Sequence, residues 1–129
     1  VIKDGDDIAI ISIGHVGNFV VDACKKLEDE NLSIAHFDLR FLKPIDENML
    51  HNIFKKFDKI ITVEDGSIAG GMGSAVLEFM SDNNYNSKVK RLGIPDSFIE
   101  HGTPKQLYKE CGFDSDSIAD EIKKMMSAK

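Results

Sequence analysis

The chain has 129 residues and a mass of 14.3 kDa, the size of one domain and large enough to bury a core without a metal or disulfide staple. Sixteen Lys and Arg against 22 Asp and Glu leave a net charge of −6 and a pI near 5.1, which argues against a nucleic-acid binder, since such proteins gain affinity by neutralising phosphates. The longest apolar run, Ile8 to Ile13, is far short of the ~20 residues that span a bilayer, and two cysteines, Cys24 and Cys111, mark neither a four-thiolate cage nor a secreted disulfide scaffold. A reducing cytoplasm is the expected setting, with no signal peptide at the start. The sequence opens at Val1 with what reads as a strand end and a turn, so we expect residues 1–129 to be one domain of a longer protein.

Strand and helix signals alternate. Ile8 to Gly14 is a β-branched run closed by glycine, the pattern of a strand buried on both faces. Val20, Ala23, Cys24 and Leu27 then recur at helical spacing, with Lys25, Lys26, Glu28 and Asp29 mostly opposite. Leu32 to Leu39 is a second strand, followed by a loop over Arg40 to Pro44 and a candidate N-cap at Asp46. Met49, Leu50, Ile53, Phe54 and Phe57 form the clearest helical stripe in the chain. Lys59 to Glu64 is a third strand that runs into a glycine-rich loop, Asp65 to Gly73, with a helix expected from Ser74 to Met80. Lys88 to Ile94 is a fourth strand whose Lys and Arg content suits a sheet edge. Thr103, Pro104 and Gln106 start a short helix that Gly112 stops, and a last helix capped at Asp114 or Ser115 turns Ile118, Ile122, Met125 and Met126 inward. Four strands joined by helices predict an α/β fold: a mostly parallel sheet with right-handed crossovers and helices on both faces. In a doubly wound order the first strand lies between the second and third, which puts the His15 turn beside the Glu64–Gly73 loop at the switch point.

Several residues there have the chemistry of a site. Gly70, Gly71 and Gly73 permit close backbone approach, and the helix after them offers free N–H groups to an anion. The run lacks the third glycine or alanine of a dinucleotide fingerprint and the Gly-Lys-Ser/Thr of a phosphate loop, so a tight turn and packing explain it better. Glu64 and Asp65 are adjacent carboxylates whose side chains leave a strand on opposite faces, which makes a shared proton improbable. Glu64 is expected to face the crevice or to hydrogen-bond the neighbouring loop. Of the four histidines, His36 and His51 read as structural or solvated, whereas His15 and His101 lie in loops and are candidate ligand or interface residues. Cys24 lies on an apolar helix face and reads as core, and nothing near Cys111 lowers its pKa. No catalytic set is assembled by these residues.

Three segments carry a family resemblance. Phe37 to Asp46 and Thr62 to Val76 resemble the strand–loop–helix and strand–glycine-loop segments of transketolase-superfamily C-terminal domains. Leu92 to Gly102, with Pro95-Asp-Ser-Phe-Ile-Glu-His101 at its centre, followed by Thr103-Pro104 and Gly112-Phe-Asp114, resembles the 1-deoxy-D-xylulose-5-phosphate synthase family within that superfamily. Together the resemblance runs from Asp4 to Met126. It implies a three-layer α/β/α fold with a sheet of four to five strands, one antiparallel and represented here by Val1–Lys3. It also implies a transferase that joins pyruvate to D-glyceraldehyde 3-phosphate with loss of carbon dioxide, using thiamine diphosphate and magnesium, as a cytoplasmic homodimer that supplies isoprenoid and thiamine synthesis. The family's cofactor and substrate residues belong to its first two domains. Its Gly-Asp-Gly motif is absent here, so the resemblance carries over no catalytic, cofactor-binding or metal residue. It leaves His15, Glu64, Gly70, Gly71, Gly73 and His101 as candidate interface or structural positions, with other domains of the same chain and a second copy as partners, and neither nucleic acid nor membrane. Two other readings stay open: a small-anion-binding module, and the C-terminal domain of a 2-oxo acid dehydrogenase β subunit, which the Pro95–His101 run disfavours.

Overall fold

A computed structural model describes residues 3–13, 17–39, 46–64, 71–93 and 115–127. His15, the Arg40–Pro44 loop, Gly70, His101, Cys111 and the short helix expected after Thr103 lie outside them. The described elements are β1 (Ile8–Ile13), α1 (Gly17–Lys26), a 3-10 turn (Glu28–Glu30), β2 (Ile34–Asp38), α2 (Glu47–Lys56), β3 (Lys59–Glu64), α3 (Met72–Asp82), β4 (Lys88–Gly93) and α4 (Ser115–Ser127).

The strands form one parallel sheet in the order β2-β1-β3-β4, with Ile10 in register with His36 on one side and Ile61 on the other. The first strand is therefore internal, as the alternation of strand and helix predicts. Alternate residues of β1 feed two separate cores. Ile8 and Ile10, with Ile34, Ile61, Val63 and Leu92, are covered by Val20, Ala23 and Cys24 of α1 and by Ile118, Ile122 and Met125 of α4. Ala9 and Ile11, with Ala35 and Ile60, are covered by Leu50, Ile53 and Phe54 of α2 and by Met72, Val76 and Phe79 of α3. A sheet buried on both faces explains why four of the six β1 residues are isoleucine, with each buried isoleucine side chain contributing roughly 1.5–3 kcal/mol.

Lys3 adds an antiparallel contact to the outer edge of β2. Its N–H donates to the His36 carbonyl at 3.2 Å and its carbonyl accepts from the His36 N–H at 2.9 Å. The sheet thus has four parallel strands and one antiparallel bridge. Gly5 follows, and a Cβ there would overlap the Ile34 carbonyl carbon, so the chain crosses β2 too closely for any other residue.

Local chemistry sets most boundaries. Asp46 caps α2 by accepting the Met49 N–H at 3.0 Å, and the last turn carries Lys55 and Lys56 where the helix dipole favours cations. Asn31 and Asn84 take the left-handed conformation, at φ 57° and 60°, that ends the 3-10 turn and follows α3. Two boundaries differ from the sequence expectation. β2 is shorter, because Leu32 and Ser33 precede the ladder and Leu39 follows it. α3 begins at Met72 and not at Ser74, so Gly73 is a helical residue and not part of the loop. Met126, expected inward, is only partly buried against the α1–α4 core.

Candidate functional site

At the C-terminal end of β3, Glu64 stands in register with Ile13 of β1 and Gly93 of β4. This is the point where the chain winds to opposite sides of β1. Glu64 shares the strand parity of Ile60 and Thr62, so its side chain leaves the sheet toward α3. There the carboxylate is bidentate: Oε2 accepts the Met72 N–H at 2.6 Å and Oε1 accepts the Gly73 N–H at 3.0 Å. Gly71, the residue at the helix cap, has no side chain to offer, so a carboxylate from the preceding strand fills that role. The negative group sits at the positive end of the helix dipole with only 6% of its surface exposed. Of the sequence-derived candidates, the structure brings Glu64, Gly71 and Gly73 together.

Gly73 also makes a close approach to the sheet. A Cβ at that position would lie 3.0 Å from Thr62 Oγ1 and 3.0 Å from Cγ and Cδ of Arg91. The first turn of α3 therefore rests directly on β3 and β4. Arg91 reaches across to donate from Nη1 to Ser74 Oγ at 3.3 Å. Thr62 Oγ1 is buried without a hydrogen-bond partner among the described residues.

On the other face, Ser12 Oγ and His36 Nε2 are 2.7 Å apart and both residues are wholly buried. The sequence leaves His36 as structural or solvated; its burial makes it structural, with a partner that the sequence does not reveal. The one available signal was a serine interrupting an isoleucine strand. Burial holds the imidazole well below its usual value, at about 4, against a weaker upward pull from Asp38. Gly17 at the start of α1 lies over the pair, where a Cβ would meet Ser12 Oγ at 3.2 Å. His51 is likewise structural: its Nδ1 is 2.7 Å from the Tyr85 hydroxyl, and its ring meets Phe79 edge-on. Burial pushes the Cys24 thiol up, the opposite of what a nucleophile needs.

These geometries determine what the site can do. The helix N-terminus that the sequence offers to an anion is closed by the protein's own carboxylate, whose two oxygens are both engaged by backbone donors. Among the described residues no group of three or more His, Cys, Asp or Glu side chains is placed to hold a metal. The described residues therefore do not fit a diphosphate with its magnesium ion. What they build is a rigid junction between a parallel sheet and a helix start.

Parallel order, a central first strand and helices on both faces define a three-layer, doubly wound α/β domain. The model of the family described as "Transketolase, C-terminal domain" matches residues 1–118, and the chain belongs to that family. It is 63% identical over 124 residues to the 1-deoxy-D-xylulose-5-phosphate synthase of Cytophaga hutchinsonii, covering 96% of this chain and 20% of that protein. It is 56% identical over 123 residues to the enzyme of the same name from Parabacteroides distasonis, covering 95% and 20%. The chain thus spans about one fifth of the length of the curated relatives it matches. Among solved structures it is similar to a split-gene transketolase in an inactive β4 tetramer, with a TM-score of 0.88 and 31% identity over 98% of this chain and 41% of that one.

Proposed function

We propose that residues 1–129 are the C-terminal domain of a 1-deoxy-D-xylulose-5-phosphate synthase and serve assembly, not chemistry. The whole enzyme would condense pyruvate with D-glyceraldehyde 3-phosphate and release carbon dioxide. Thiamine diphosphate and magnesium, held by the other four-fifths of the protein, would supply the carbanion chemistry. Support for this identity comes from the high identity to enzymes of that name along nearly the whole chain. The observation that carries the assembly role is the bidentate Glu64 cap, which closes the N-terminus of α3 with an internal carboxylate. The same observation disfavours the small-anion module.

On this reading His15, Gly70, Gly71 and His101 would be interface positions toward another domain of the same chain or a second copy. Glu64 and Gly73 fix the base of that surface. The partners are domains of the same polypeptide and a second copy in a homodimer, in the cytoplasm. Among the described residues no helix is long and apolar enough to cross a membrane. The split-gene transketolase chain, 41% of which this chain matches, forms an inactive tetramer, which supports an assembly role for a chain that contains this fold.

The test compares three proteins: the isolated chain, the full-length parent, and the parent truncated before Val1. Each is assayed with pyruvate, D-glyceraldehyde 3-phosphate, thiamine diphosphate and magnesium, and its mass is read by sedimentation. The parent is expected to turn over as a dimer, the isolated chain to be inactive, and the truncated parent to lose both assembly and activity. Turnover by the isolated chain would overturn the assembly role. Full activity of the truncated parent would overturn it equally.

A further inference from the structure

We draw no further inference here: the strongest candidate, the Ser12–His36 side-chain pair beneath the start of α1, places a serine oxygen 2.7 Å from an imidazole nitrogen but is wholly buried between sheet and helix, and nothing in the structure shows a ligand reaching it.

Discussion

A buried carboxylate that satisfies two amides of one helix is a strong local constraint, and Glu64 is the residue where it can be tested most directly. Glutamine at 64 keeps the length but presents one oxygen and one NH2 group, so one of the Met72 and Gly73 amides would face another donor. Leaving a buried donor unmet costs roughly 1–3 kcal/mol. Glu64→Gln is therefore expected to lower the unfolding free energy by that amount, read as a lower urea midpoint with an unchanged slope, and an unchanged midpoint would show that the cap contributes nothing. His36 gives a prediction in pH. Its folded-state value of about 4 lies below the ordinary 6.5, so the unfolded chain takes up a proton first as pH falls. Stability from this residue is complete above pH 6.5 and is lost progressively down to about pH 4, a total of roughly 3 kcal/mol. His36→Gln, which can still hydrogen-bond Ser12, is expected to flatten the stability curve between those two values. The same slope in the variant, measured by urea unfolding at half-unit intervals, would assign the acid limb to other groups.

Elements were legible in the sequence wherever their cause is local. The Met49–Phe57 stripe, the Asp46 cap and the isoleucine run of β1 each act within one helix or one strand, and the structure places them as read but for Phe57, which is the extended residue that ends α2. The start of α3 was not legible, because its capping group comes from eight and nine residues upstream, across seven intervening positions. Glycines at 71 and 73 give a turn signal to any local rule, although one is a cap and the other is helical. The Ser12–His36 pair is hidden for the same reason, since its members are 24 residues apart and meet only through the β1–β2 register. The candidate site was thus half-legible: its residues could be listed, but which of them touch was set by tertiary pairing. Asp46→Ala provides a control for a purely local device. It is expected to cost about 1 kcal/mol through the lost Met49 bond, read as a lower thermal midpoint with the sheet's hydrogen exchange unaffected. Gly5→Ala should cost more, about 2 kcal/mol or above. Its Cβ would strike the Ile34 backbone, which cannot rotate away as a side chain can, so the Lys3–His36 amide bonds should lose protection together.

At the scale of the molecule the sheet has unlike edges. The β2 edge carries the antiparallel Lys3 bridge, so the chain itself begins to cover it. The β4 edge pairs with β3 alone among the described residues, and its sequence, Lys88-Val-Lys-Arg91, departs from the apolar composition of β1. Register places Lys88 opposite Lys59 and Lys90 opposite Ile61, on the face that also holds Ile61 and Val63, and both Lys88 and Lys90 are exposed. Like charges directly opposite one another weaken a strand pair slightly, so their presence is not explained by stability. It is explained by what a flat apolar edge would do, which is to recruit another strand. Valine at both positions should therefore leave the fold intact and make the isolated chain associate. The expected outcome is a concentration-dependent shift to larger species in sedimentation velocity, with faster growth of light scattering than in the parent chain under the same conditions. Identical distributions for the two chains would mean that this edge is guarded by something other than its lysines.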